Sequence, residues 1–480
     1  FFFTFLRLHE VKVTEKRVFH IAGFIVVALG CGLFTNQIIL SDFMEEHQIN
    51  IRMFRPMESY QKYGGVLTFA RSVGYAVVKK PEGYTTAKVD QIIQEYEKKS
   101  ANEQQSTAKQ YPNIITVVNE TFADIKVLGD FKTNEDYMPY FHSLKKNCVT
   151  GYTYASIVGG QTANTEFELL TGNTLGFLSA GTTAFQLYIH GQMPSLVSNL
   201  KAEGYSGNKA MHPFNPYNYN RPAVYKDFGF TDFIDKFDFP KNVKRVREYI
   251  SDEANVDRII SEYEKNRKKT DQPFYMYNMT IQNHSPYDKD AANFKQPIKI
   301  ESSKYDAEAN RYLNLIKYSD DSLKQLTGYF EKCKEPTIIL FLGDHQPRLT
   351  DEFMNKITNG QYQTWSSEQM MKRYQVPFVI WANYDIKEQH IEKTSMNYIQ
   401  SILTKTAGVK MTGYQRFLNE VRKEVPTITS QGYWGKNGKF YQINDKGSPY
   451  YGIIQKYRMI QYNMMFDKKN RRDSFFEVSK

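Results

Sequence analysis

Cysteine is scarce: Cys31, Cys148 and Cys333 are the three in 480 residues, with no Cys-x-x-Cys among them. A disulfide framework is therefore not what holds this chain, and cysteine usage leaves the redox compartment undecided. The chain also lacks an internal repeat, a low-complexity tract, and any zinc-finger or RNA-binding signature. A net charge of +10 calls for an anionic partner, and without those signatures nucleic acid has no support. A membrane surface or a polyanionic wall polymer remains. What is present in quantity is apolar: 41% hydrophobic residues against 24% charged, enough to bury a sizeable core. The length allows two or three domains, or one large α/β domain with appendages. Aromatic residues reach 15%, which suits sugar-facing or interfacial surfaces and equally a plain compositional bias.

The chain opens on Phe1, which reads as a fragment or a processed chain, with residues 1–6 as the tail of an earlier apolar segment. Arg7, Lys12, Lys16 and Arg17 then precede an apolar run over 18–40. That run is long enough to cross a hydrocarbon core of about 30 Å; the alternative is a buried core helix. No small-residue cleavage site follows, so it does not read as a cleaved signal peptide. The basic flank places the N-terminal side in the cytoplasm and everything after residue 40 outside, in a protein of the cell membrane. Residues 1–40 are thus expected to be the membrane segment. Residues 41–110 are expected to be a connector, with an amphipathic helix over 90–99 and a polar linker over 98–109.

The main domain is expected over 111–425. Four short apolar runs, at 114–118, 274–281, 337–342 and 377–381, read as strands buried on both faces of a parallel sheet. Helical patterns at 256–268 and 308–330 lie between them. Strands alternating with helices predict an α/β fold: a central, mostly parallel sheet with helices on both faces. Residues 426–480 read as a small appendage, a hairpin turning at Asn437-Gly438 followed by a helix over 451–465.

The chemistry gathers at strand ends and at one turn. The turn is Gly159-Gly160-Gln161-Thr162, and the apolar spacing of Ala163, Phe167 and Leu170 after it predicts a helix. Thr165 and Glu168 form a capping-box pattern, which puts the helix start near Thr165. A hydroxyl at a helix mouth lies where backbone N–H groups favour phosphate, although Thr162 and Thr165 also read as ordinary caps. The first strand runs into Glu120, the second into His284, the third into Asp344-His345. Ligands in open α/β sheets bind beyond the carboxyl ends of the strands, so these residues are expected to share one site with Thr162. Glu120, Thr162, Asp344 and His345 offer mostly oxygen donors with one nitrogen, a set suited to Mn²⁺ or Mg²⁺, with Zn²⁺ as the alternative. Metal coordination would make the Thr162 hydroxyl a nucleophile towards phosphorus, in a two-step transfer through a phosphothreonine. His284 reads as a proton donor, as a substrate contact, or as a structural histidine. In the loop from His212 to Arg221, Arg221 can grip a phosphate and Tyr219 can face a glycerol or sugar; both also read as plain surface residues.

Taken together, these motifs resemble the lipoteichoic acid synthase-type phosphoglycerol transferases of the alkaline phosphatase and sulfatase superfamily. The resemblance rests on Asn119-Glu120-Thr121-Phe122, the stretch from Gly159 to Gly172, the loop from His212 to Arg221, Asn283-His284-Ser285-Pro286-Tyr287, and Gly343-Asp344-His345-Gln346-Pro347. It implies a membrane-anchored enzyme with an external catalytic domain. Glu120, Thr162, Asp344 and His345 would be its metal ligands, with Thr162 as nucleophile. Its substrate-binding residues would be His212, Arg221 and His284, to which Tyr219 and Asn164 are added. An anionic phospholipid donor and a glycan or teichoic-acid-type acceptor are implied as partners. Tyr219 stands where some members carry tryptophan, and Pro213-Phe214 replaces more polar residues. The Cys/Ser-x-Pro-x-Arg signature of formylglycine sulfatases is absent, which argues against sulfate ester hydrolysis. Phosphoethanolamine transfer, phosphate ester hydrolysis and a non-catalytic wall- or lipid-binding module are the competing readings.

Overall fold

The computed structural model describes residues 13–40, 43–46, 49, 51, 56–100, 110–301 and 306–478. The apolar tail over 1–6, Arg7, Lys12 and the linker residues 101–109 lie outside the described residues. The chain divides into two compact units, one running to Lys79 and taking in Ser179–Thr182, the other comprising Lys80–Leu178 and Thr183–Lys480.

In the first unit, the helix Val13–Phe34 passes into a π-helical turn at Thr35–Leu40. Its stretch Lys16–Ile39 is 24 residues long with a mean hydropathy of 2.1, and none of its most apolar window is buried. Phe24 is 75% exposed and Val26 68%. A core helix would hide these side chains, so the buried-helix alternative fails and a helix able to cross a membrane remains.

The second unit is built on one eight-stranded sheet. In chain order the strands are β1 (Asn113–Asn119), β2 (Cys148–Tyr154), β3 (Ser206–His212), β4 (Asp232–Asp235), the small pair β5 (Arg245–Val246) and β6 (Tyr249–Ile250), β7 (Phe274–Met279), β8 (Thr337–Gly343), β9 (Gln375–Ala382), β10 (Gln389–Ser395), and the C-terminal β11 (Thr427–Thr429), β12 (Gly432–Trp434) and β13 (Phe440–Tyr441). The large sheet has the order β10-β2-β9-β8-β1-β7-β3-β4. Its neighbours pair in parallel except for β9, which is antiparallel to both β2 and β8. The apolar run at 377–381 is therefore a strand, but not a parallel one. Burial on both faces is what such a run records, and β9 is buried along nearly its whole length; strand direction leaves no mark in the pattern. Four strands, β2, β3, β4 and β10, were not legible as apolar runs, because Thr, Lys, Asp and Gly interrupt them.

Side chains alternate across the sheet, and the two faces divide the work. Ile115, Val117, Met276, Ile339 and Phe341 join the core cluster that holds Ile259, Leu313 and Leu323 from the helices Asp252–Arg267 and Ala307–Phe330. The opposite register sends Tyr277 towards the helix Thr162–Thr171, where its hydroxyl reaches Glu166 at 3.1 Å. All ten residues of that helix are buried. Its last turn is closed by Gly172 in a left-handed conformation (φ 73°), and the hydroxyls of Tyr414 and Tyr457 donate to the Gly172 carbonyl at 2.8 and 2.6 Å. Tyr457 belongs to the helix Tyr451–Met465, so C-terminal residues help to hold the central helix. The helix Thr86–Ser100 packs here too, with Tyr96 edge-on to Phe417 at 4.7 Å. The C-terminal hairpin is present: β12 pairs antiparallel with β13 and Gly438 takes φ 76° in the turn.

Candidate active site

Four adjacent strands, β8, β1, β7 and β3, point their carboxyl ends the same way. The register sets Asn119 of β1 beside Gly343 of β8. Glu120 and Asp344, each the next residue, therefore leave the sheet side by side. The strand ends approach so closely that a Cβ on Gly343 would stand 1.8 Å from the Phe122 carbonyl oxygen. Thr121 turns away with φ 48° and its amide donates to Asp344 Oδ1 at 2.7 Å, while the His345 amide donates to the same oxygen at 2.8 Å. The other carboxylate oxygen, Oδ2, accepts the Thr162 hydroxyl at 2.8 Å.

Thr162 reaches that position through three residues of unusual backbone. Gly159, Gly160 and Gln161 have φ of 69°, 142° and 68°, and the helix starts at once on Thr162, without a side-chain cap. The capping box at Thr165 and Glu168 is thus corrected. Thr165 sits inside the helix and donates to the Asp344 carbonyl at 2.8 Å, while Glu168 accepts from Ser156, Thr174 and Leu175. Tertiary partners took both side chains that the pattern would have spent on the helix end. The helix mouth is consequently beside the carboxylates, with its first amides and dipole directed at a phosphate's place.

His345 completes the group. Its Nδ1 lies 3.0 Å from the Gln346 carbonyl, which can only accept, so Nδ1 is the donor. Nε2 lies 3.2 Å from Asp344 Oδ2 and 3.9 Å from Glu120 Oε1, yet it is buried with no hydrogen-bond partner. Glu120, Asp344 and His345 have ligating atoms within 4.8 Å of one another. Burial, and next the charge of Asp344, push the Glu120 carboxyl well above the usual carboxylate range; Arg221 and the Thr162 hydroxyl oppose this. Two buried carboxylates and an orphaned imidazole nitrogen aimed at one point fit a divalent cation, and the carbonyl behind His345 fixes the ring as ligating histidines require.

The remaining predicted residues surround this centre. His212 ends β3, with Nδ1 bonded to the Met279 carbonyl at 3.0 Å; burial, then Arg221, hold its pKa well below the ordinary histidine value. His284 follows β7, and its Nδ1 lies 2.7 Å from the Ser285 carbonyl, which leaves Nε2 as an acceptor. Burial lowers its pKa as well, His345 adding to the effect and Asp344 opposing it. Arg247 clamps this loop through the carbonyls of Gln282, His284 and Pro286.

Arg221 is fully buried rather than on a solvated surface. Its Nε and Nη2 both donate to Glu166 Oε1, at 3.1 and 2.6 Å, and Nη1 lies 3.5 Å from the Asn218 carbonyl. The ring of Tyr219, a left-handed residue (φ 60°), lies 5.1 Å from the guanidinium. Asn164 is buried and its Oδ1 accepts the Ala184 amide at 2.9 Å, an interaction that shapes the protein rather than facing a substrate. Sequence reasoning missed Glu166; its one signal was a position four residues after Thr162, on the same side of the helix. It also missed Asp252, buried behind the site and accepting from Asn119 and Ser319 at 2.8 and 2.6 Å. Nothing in the local sequence separates Asp252 from an ordinary first-turn carboxylate.

With this geometry in place, the comparisons define the class. The sulfatase family's sequence profile matches residues 112–409, more than half of the chain, and the chain belongs to that family. Within the alkaline phosphatase superfamily its relatives are of the lipoteichoic acid synthase type. It is 30% identical over 433 residues to a Rhizobium meliloti protein that is named as a candidate for cyclic beta-1,2-glucan modification, covering 88% of this chain and 65% of that one. It is 27% identical over 240 residues to the lipoteichoic acid synthase-like YvgJ of Bacillus subtilis, covering 48% of this chain and 36% of that one. The first curated relatives are spanned over 35% to 65% of their own length. Among solved structures, the Streptococcus pyogenes phosphoglycerol transferase GacH, in complex with sn-glycerol-1-phosphate, superposes with a TM-score of 0.67 at 20% identity, covering 84% of this chain and all of that one. The fold is therefore shared with GacH.

Proposed function

We propose that this chain is a membrane-anchored phosphoglycerol transferase whose catalytic unit lies outside the cell. It takes glycerol phosphate from an anionic, phosphatidylglycerol-like lipid and passes it to a glycan or teichoic-acid-type polymer through a phosphothreonine. The observation that carries this reading is the Thr162 hydroxyl, held at a buried helix mouth 2.8 Å from Asp344 Oδ2. A hydroxyl so placed is a nucleophile rather than a cap, because no helix amide receives it. Glu120, Thr162, Asp344 and His345 would hold Mn²⁺ or Mg²⁺, with Zn²⁺ as the alternative. Such an ion, when bound, favours the alkoxide and offsets phosphate charge.

In the first half-reaction Thr162 Oγ bonds to phosphorus, the phosphorus–oxygen bond to diacylglycerol breaks, and the leaving oxygen takes a proton. In the second, an acceptor hydroxyl gives up its proton and bonds to phosphorus as the Thr162 ester breaks. The helix amides hold the phosphate oxygens throughout. His284, with its lowered pKa and free Nε2, suits the role of accepting the acceptor's proton. Arg221, fixed on one side by Glu166, presents Nη1 and the Tyr219 ring to the glycerol phosphate. The broad match to a protein named for glucan modification favours a glycan acceptor.

The test is covalent. Enzyme quenched during turnover of a headgroup-labelled lipid should carry phosphoglycerol on the peptide containing Thr162. Thr162→Ala should abolish label and turnover, whereas Thr162→Ser should retain some of both. Label on Thr165, or turnover without any adduct, rejects the mechanism. Efficient use of a phosphoethanolamine donor in place of phosphoglycerol changes the headgroup and leaves the chemistry standing.

A further inference from the structure

The helix Gly65–Ala76 turns its faces the opposite way to a helix of a water-facing protein. Val66, Phe69 and Val73, spaced as one helical stripe, are 76%, 66% and 42% exposed. Thr68, Arg71 and Tyr75 on the other side are buried. These polar groups are satisfied inside: Thr68 Oγ1 donates to the Ser59 carbonyl at 3.1 Å, and the Tyr75 hydroxyl pairs with both the amide and the carbonyl of Ile51, at 3.1 and 3.2 Å. The Arg71 guanidinium lies over the Tyr75 ring at 4.7 Å. The outward apolar stripe is thus the consequence of a settled packing, not of a helix lacking a place.

That stripe continues directly into the exposed surface of the Val13–Phe34 helix. Close approach joins them, since a Cβ on Gly74 would stand 3.2 Å from the Ile39 carbonyl oxygen. Between them runs an apolar groove of about 810 Å³, lined by Cys31, Phe34 and Ile39 on one side and Val66, Phe69 and Val73 on the other. Lys62 and Lys79 flank the helix and are exposed. A continuous apolar surface of this extent, edged by cations, does not face water.

We propose that the Gly65–Ala76 helix lies in the plane of the same bilayer that the Lys16–Ile39 segment spans, at the headgroup–acyl boundary. Phospholipid acyl chains cover Val66, Phe69 and Val73 and fill the groove, while Lys62 and Lys79 meet anionic headgroups. The inference rests on the membrane-anchored reading. It adds a second membrane contact, one that fixes the chain leaving the span against the lipid surface from which a donor would be drawn.

The experiment uses the full chain in vesicles of phosphatidylcholine and phosphatidylglycerol carrying nitroxide-labelled acyl chains. The three native tryptophans of the unaltered protein serve as the baseline. Phe69→Trp should add fluorescence that is quenched by a nitroxide near the headgroup, and Phe24→Trp should add fluorescence quenched by one deep in the chain. Quenching of Phe24→Trp without quenching of Phe69→Trp overturns the in-plane helix and leaves the anchor intact. Absence of quenching in both overturns the anchor as well.

Discussion

Glu166 and Glu168 stand two residues apart on one buried helix and meet different fates. Glu166 faces the Arg221 guanidinium and accepts the hydroxyls of Tyr225 and Tyr277, so its charge has a partner. Removing it strands a buried cation, a loss that costs about 3–5 kcal/mol for such pairs. Glu166→Gln is therefore expected to lower thermal stability and to raise the donor KM more than it lowers kcat, as Arg221→Ala should; an unchanged KM in both would remove Arg221 from the donor site. Glu168 receives only neutral donors, and burial raises its pKa from 4.5 to about 7. A carboxyl raised in the folded state favours folding below its unfolded pKa, and that contribution is lost as pH rises through the folded one. Stability should fall by roughly 3 kcal/mol between about pH 4.5 and pH 8 from this group alone. Glu168→Gln should flatten that slope, measured by denaturant unfolding across the range.

At the scale of elements, the site depends on how closely the ends of β1 and β8 approach. Gly343 is required there by contact with backbone, since a Cβ would meet the Phe122 carbonyl at 1.8 Å and no rotamer can relieve it. Gly343→Ala should destabilise by at least about 1–3 kcal/mol, and it should weaken Mn²⁺ binding because Asp344 and Glu120 are displaced together. Gly328, inside the helix Ala307–Phe330 with nothing within 4 Å of its Cβ position, provides the contrast. Gly328→Ala should raise stability by about 0.5–1 kcal/mol, from helix propensity and lost unfolded-state freedom. Thermal unfolding of the two variants side by side checks both signs.

For the whole molecule, the buried carboxylate pair links metal to stability. Burial and the charge of Asp344 make the ionised form of Glu120 costly, and a divalent cation removes that cost. Mn²⁺ at about a hundred times its Kd should stabilise the folded protein by about 2.7 kcal/mol, and a chelator should remove the gain. Asp344→Asn should lose the Mn²⁺-dependent rise in Tm, whereas His284→Ala should keep it. Equal loss in the two variants would make His284 a ligand.

The sequence by itself determined the parts of this protein that depend on local pattern. The runs at 114–118, 274–281 and 337–342 became β1, β7 and β8 because a strand covered on both faces must be apolar on both. The span over 18–40, the helix over 308–330 and the Asn437-Gly438 hairpin were legible for the same reason: each rests on composition or on turn chemistry within a few residues. Placing Glu120, Asp344, His345 and Thr162 together needed only the rule that parallel strands end at one edge. The tertiary structure alone decided the direction of β9, the start of the central helix at Thr162, and the burial of Arg221 against Glu166. It also spent Asn164 on the Ala184 amide and turned the polar face of Gly65–Ala76 inward. Each of these turns on a partner distant in the chain, and a buried polar side chain goes where its hydrogen bonds can be satisfied, which no local pattern records.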